Sequence, residues 1–228
     1  MLHEPQTLQE AFVVGGPVMW PLLGASVVAV AVIVERAVTY GLQRLPFEPF
    51  VEQLCQAVRA DDRDAAERIV ASGRGPVARL GAVFLSVLDR PKELRDELLK
   101  REGGVLLEVV EKRLPLLRLV VQIAPILGLL GTVHGLLFAF WGLEAVEGPI
   151  KPSDVAGGIG SALTTTVFGL SIAIPASAFL VMFEETVDRV ARRMGFLVSH
   201  LEEAVVERDE AQAADRSRGL PDADPKAS

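Results

Sequence analysis

Three long stretches without a charged residue constrain this chain more than any other feature of its sequence. Residues 11–34, bounded by Glu10 and Glu35, run for 24 residues without Asp, Glu, Lys or Arg. Residues 119–143, between Arg118 and Glu144, run for 25, with His134 as the one titratable side chain. Residues 155–183, between Asp154 and Glu184, run for 29. A helix needs about 20 apolar residues to cross a hydrocarbon core about 30 Å thick. Each stretch meets that length, and buried helices of soluble domains seldom go so far without a charge. The expectation is three transmembrane helices. The third, about 44 Å long at about 1.5 Å per residue, should tilt or project from the bilayer. Residues 1–10 hold no Lys or Arg, and the first stretch exceeds the about 7–15 apolar residues of a signal-peptide core, so it reads as a retained helix.

Hydrophobic residues make up 50% of the chain and charged ones 23%, so the charges are concentrated between and after the spans. The formal charge of −7 argues against binding nucleic acid through a basic surface. A single cysteine, Cys55, excludes an internal disulfide framework and reads as a small packing residue. His3, His134 and His200 match no metal-ligand spacing, and no cofactor is expected. No nucleophile–base arrangement or phosphate loop is present, so an enzyme is not expected.

Basic residues set the expected orientation. Arg36, Lys112, Arg113, Arg118 and Arg189 flank the spans on one side, whereas residues 1–10 have no basic residue and residues 144–154 only Lys151. The positive-inside rule places residues 1–10 and the loop 144–154 outside, in the periplasm, and residues 35–118 and the C-terminus in the cytoplasm. Within 35–118, helical spacing at Val51, Leu54, Val58 and Ala65 predicts a helix over 50–70, broken at Ser72-Gly73-Arg74-Gly75-Pro76. A short run follows at 77–88, then Arg90-Pro91, then a charged helix over 92–113 leading into the second span. After the third span, 184–208 reads as a cytoplasmic helix with a narrow seam of Val187, Val190, Met194, Leu197, Leu201 and Ala204. Such a seam suits packing against like helices in an oligomer; the alternative is an amphipathic helix packed on its own chain. Residues 209–228 are polar and charged and are expected to be disordered.

The spans themselves are rich in small residues. The second carries Gly128, Gly131 and Gly135, the last two forming a GxxxG that admits close helix approach, and Pro125, which should bend it. In the third, Gly157, Ser161 and Thr165 recur at steps of four, as do Ala162 and Thr166, and Gly169, Ala173 and Ser177 continue the face toward Pro175. Ordinary helix packing explains such a face; it could also line a hydrated path or hold another subunit's helix. Intramembrane ionisable groups mark ion routes, yet no span contains a carboxylate. His134 lies about 200° round the helix from Thr132, so if Thr132 faces a path, His134 faces away, toward an interface.

The strings APILGLLGTVHGLLFAF (residues 124–140) and GIGSALTTTVFGLSIAIP (residues 158–175) closely resemble the ExbB/TolQ/MotA proton-channel family, its ExbB/TolQ branch best. The Glu35-Arg36 membrane-boundary pair also looks like that branch, and the resemblance covers about residues 10–205. The flagellar stator branch typically has four spans rather than three. The resemblance implies an all-α inner-membrane protein with three transmembrane helices and long cytoplasmic helical extensions, assembling as a homo-oligomer, a pentamer. This would surround an ExbD- or TolR-like single-span partner carrying a membrane aspartate, with a TonB- or TolA-like protein further along. Thr132 and Thr166 align with the family's pore-facing threonines. Gly128, Gly131, Gly135, Ser161, Ala162, Thr165, Gly169 and Pro175 would be pore-face or packing positions. Ser161 stands where members often have glutamate. The competing expectation is a non-conducting membrane scaffold held together by its glycine faces.

Overall fold

The computed structural model describes residues 15–42, 46–144 and 152–218. Among these the chain is all helix, with no strand, as expected: α1 (Met19–Leu42), α2 (Phe47–Arg59), α3 (Arg63–Ser72), α4 (Pro76–Ser86), α5 (Lys92–Glu111), α6 (Leu114–Glu144) and α7 (Pro152–Arg218). Three of these hold segments long and apolar enough to cross a membrane: α1, α6 and the first part of α7. The chain divides into two units. One holds α1 up to Thr39, α6 and α7 up to Glu185; the other holds α2 to α5 and α7 from Thr186 onward.

In the first unit, only 22%, 28% and 28% of the three apolar windows are buried by the chain itself. Trp20, Val27, Ile126, Leu129, Val167 and Ile174 all stand exposed, a surface that water would penalise and lipid would not. Residues 15–18 form a turn ahead of α1. Gly16 takes φ +69 in the turn before it, and Met19 N–H donates to the Gly16 carbonyl at 3.1 Å. At its other end α1 runs past Glu35 and Arg36 to Leu42, because the two charges pair at 2.9 Å and need not terminate it. Within the described residues α1 covers 19–34 of the expected 11–34 and continues to Leu42, and residues 11–14 lie outside the described residues. A Lys112-Arg113 turn separates α5 from α6, where one charged helix over 92–113 was expected; Pro115 has no N–H to donate to the carbonyl of Glu111.

The second unit has an ordinary hydrophobic core. Leu54, Phe84, Leu197 and Leu201 are fully buried, with Phe50, Val58, Val77, Leu80, Leu99 and Met194 around them. Burying each such side chain contributes about 1.5–3 kcal/mol. The expected single helix over 50–70 is two, because Asp61 adopts φ 54 and Asp62 caps α3, its carboxylate accepting from Ala65 N–H at 2.9 Å. A methyl group at Gly81 would sit 3.3 Å from Leu54 and 3.4 Å from Val70, so α4 lies close against α2 and α3 at this point.

The seam of α7 is consumed inside this unit. Met194, Leu197, Leu201 and Ala204 are buried in the core, and Val190 packs against it. The reading of that seam as an oligomer contact is thus corrected: α2 to α5 already cover it. Arg95 fastens the same face, donating to both carboxylate oxygens of Glu202 at 2.6 Å and to the Leu88 carbonyl at 3.0 Å, over the Phe84 ring. The helix also persists to Arg218, so residues 209–218 are helical rather than disordered, and 219–228 lie outside the described residues. Ala211, Ala213 and Ala214 favour the helix, and Arg208 and Gln212 reach Asp61 at 3.2 and 3.4 Å. Cys55 is buried, and that burial pushes its thiol pKa up.

Candidate functional site

The site lies in the first unit, where α6 and α7 approach so closely that several positions cannot carry a side chain. A methyl group at Gly128 would sit 3.0 Å from the Thr165 carbonyl oxygen and the Thr166 Cα. One at Gly131 would fall 2.6 Å from Thr165 Cβ, and one at Gly135 would be 2.9 Å from Ala162 Cβ. Across the contact, a methyl at Gly169 would be 2.5 Å from the Ala124 carbonyl oxygen. Gly128, Gly131 and Gly135 thus mate with Ala162, Thr165 and Gly169. Without a hydrophobic drive between helices in lipid, this close approach is what gives van der Waals attraction its strength.

The mated stripe on α7 is Gly158, Ala162, Thr165 and Gly169, continued by the buried Ala173 and Ala176, a mixture of three- and four-residue steps. A strict four-residue stripe, as through Gly157 and Thr165, turns about 40° further round the helix at each step and leaves the contact. Gly157 accordingly faces open space. Pro175 is exposed on α7, and the side chain of Ser161 lies outside the described residues.

Hydroxyl groups collect at the closest approach. Thr165 is 1% exposed, and its Oγ1 lies 2.7 Å from the Ala162 carbonyl and 3.2 Å from that of Gly128 on α6. Thr166, half-buried, donates to the same Gly128 carbonyl at 3.0 Å. Thr132, also half-buried, donates within its own helix to Leu129 at 2.6 Å. The sequence singled out Thr132 and Thr166; Thr165, read there only as a packing or pore-face position, is the most enclosed of the three. The turn ahead of α1 helps enclose it, since a methyl at Gly15 would meet Thr165 Cγ2 at 3.3 Å. The sequence signal was the Thr164-Thr165-Thr166 run, whose members point in directions about 100° apart.

At the charged ends of the unit, Glu35 holds Arg36 at 2.9 Å and Arg113 at 3.4 Å, and Arg118 holds Glu184 at 2.5 Å. The Glu35-Arg36 pair therefore also ties α1 to the start of α6, and Arg118–Glu184 ties α6 to α7. Spacing along the chain could not reveal either cross-helix pair. His134 is half-buried against Phe138, ring centroids 4.5 Å apart, and Phe138 meets Trp141 edge-on at 5.3 Å. This aromatic row lies away from the glycine stripe.

Chemically, threonine hydroxyls both donate and accept hydrogen bonds but do not ionise in the physiological range. The site can solvate a proton carrier in either protonation state, but it offers no carboxylate to be that carrier.

Residues 65–195 match the model of the MotA/TolQ/ExbB proton channel family. The chain is 32% identical over 174 residues to the putative biopolymer transport protein ExbB-like 3 of Synechocystis, covering 74% of this chain and 81% of that protein. It is 30% identical over 193 residues to the biopolymer transport protein exbB1 of Vibrio cholerae, covering 82% and 83%. A shorter match, 41% identical over 70 residues, links 31% of this chain to 30% of the Tol-Pal system protein TolQ of Haemophilus influenzae.

Proposed function

The chain belongs to the MotA/TolQ/ExbB proton channel family, and from that premise we propose that it is the multi-span wall of a proton-driven motor in a bacterial inner membrane. The observation that carries this reading is the pairing of a hydroxyl cluster at the α6–α7 contact with spans that lack any carboxylate. A proton crossing beside Thr166 and Thr132 needs a carrier from another chain. An ExbD- or TolR-like single-span subunit with a membrane aspartate supplies one. Each proton falling through the field delivers about 2.3 kcal/mol per 100 mV, which moves one subunit set against the other and energises a TonB- or TolA-like protein. Several copies of this chain, five by family resemblance, surround the partner, with the N-terminus periplasmic and the C-terminus cytoplasmic. Exposed apolar faces on all three spans support contact with lipid and with neighbouring copies.

The test is proton flux in liposomes reconstituted with the complex extracted from its native host. Thr166→Val should lower flux at least tenfold while leaving the oligomer intact. No flux in the wild-type complex under an imposed potential would instead support the non-conducting scaffold, whereas full flux in Thr166→Val would remove Thr166 from the proton path.

A further inference from the structure

Two threonine hydroxyls compete for one carbonyl. Gly128 lies inside α6, so its carbonyl already accepts the helical N–H of Thr132, leaving one lone pair. Thr166 Oγ1 at 3.0 Å and Thr165 Oγ1 at 3.2 Å are both within reach of it. Thr165 has a second choice, the Ala162 carbonyl at 2.7 Å in its own helix. Each hydroxyl carries a single hydrogen, so the arrangement has two self-consistent states. In the first, Thr165 donates to Ala162 and Thr166 to Gly128, which leaves the Thr166 oxygen able only to accept from outside. In the second, Thr165 donates to Gly128, and the Thr166 hydrogen is released to donate outward.

We propose that Thr165 is a positioning residue that sets whether Thr166 acts as hydrogen-bond donor or acceptor toward the passing proton carrier. This rests on the function proposed above. An acceptor suits a protonated carboxyl, and a donor suits a carboxylate, so the same wall accommodates both states of the carrier. Interconversion needs only rotation of two hydroxyl hydrogens about their Cβ–Oγ1 bonds; no covalent bond breaks and no proton leaves this chain. The enclosure of Thr165 keeps the switch closed to bulk water, since Gly131 and the turn at Gly15 pack against it. Within the three apolar spans no charged side chain intervenes. His134 is the one titratable group of α6 between Arg118 and Glu144, α7 has none between Asp154 and Glu184, and α1 has none before Glu35.

The experiment measures proton flux against pH, from about pH 5 to 8, in liposomes holding the host-extracted complex with wild-type chain, Thr165→Val, Thr165→Ser or Thr166→Val. Valine at 165 keeps the shape but locks Thr166 onto Gly128 as an acceptor. The carboxylate then loses a donor while the acid keeps its acceptor, so the midpoint of the profile moves upward by about one pH unit. Thr165→Ser retains the hydroxyl and keeps the wild-type midpoint. Should Thr165→Val fail to assemble, Thr165→Ala removes the hydroxyl without added bulk and carries the same expectation. A wild-type midpoint in the variant lacking the hydroxyl, even with reduced amplitude, overturns the switch and leaves Thr165 a packing residue. Full flux in Thr166→Val takes Thr166 out of the proton path and the switch with it, whereas no flux in the wild-type complex defeats the underlying channel reading, so the two failures are distinguishable.

Discussion

Adding one methyl group at Gly169 should separate α6 from α7. The new Cβ would stand 2.5 Å from the Ala124 carbonyl oxygen and 3.2 Å from Gly128 Cα, both backbone atoms that no rotamer change can move. Ordinary contact begins at 3.4 Å, so the helices must part by about 0.9 Å at this point. The Thr165 and Thr166 hydroxyls, now 3.2 and 3.0 Å from the Gly128 carbonyl one turn along, then lose their hydrogen-bonding distance. Overpacking costs about 1–3 kcal/mol, and loss of the one threonine hydrogen bond that the Gly128 carbonyl accepts at a time about 0.6. Together these predict a destabilisation of about 2–4 kcal/mol. Gly160→Ala is the matched control, because among the described residues nothing lies within 4 Å of a methyl group there; it carries the same helix-propensity gain of about 0.5–1 kcal/mol without the clash. Unfolding from mixed micelles with increasing SDS, followed by circular dichroism, measures both. If Gly169→Ala lies within about 0.5 kcal/mol of Gly160→Ala, the close approach of α6 and α7 is refuted.

Three further outcomes follow from the second unit. Arg95→Ala should destabilise by about 3–5 kcal/mol because it leaves Glu202 without its bidentate partner, whereas the double variant Arg95→Met with Glu202→Leu should recover much of that loss; a denaturation cycle measures the coupling. Asp89 is held below its ordinary carboxylate pKa by its hydrogen bond from Arg63. Its contribution is therefore present above about pH 4 and disappears as pH falls through the lowered value, so Asp89→Asn should differ slightly from wild type at neutral pH and not in strong acid. Cys55, buried with a raised thiol pKa, should resist maleimide in the folded protein at neutral pH and react fully after denaturation.

Much of this architecture is legible along the chain because the bilayer is an unforgiving solvent. A charge within a lipid-facing span is costly, so three uncharged stretches identify the membrane helices without reference to any contact. Glycine and proline punctuation likewise located the breaks at Gly73 to Pro76 and at Arg90-Pro91. Local cues also misled. The Asp61-Asp62 corner hid inside an amphipathic pattern, because a single residue with positive φ and one carboxylate cap leave the hydrophobic period nearly unchanged. The alanine-rich polar stretch 209–218 looked unstructured, since composition does not report that Arg208 and Gln212 have Asp61 within reach.

The sequence alone determined which segments are helices in lipid, that no carboxylate lies within them, and that small residues line α6 and α7. Those are properties of single segments, set by transfer free energies and by what each side chain can do. Only the tertiary structure decided which small residues meet, that the α7 seam is spent on α2 to α5, and that Thr165 and Thr166 share the carbonyl of Gly128. A pattern that repeats every four residues says which positions might face a neighbour. The drift of a 3.6-residue helix, and the distance at which two backbones come to rest, select among them.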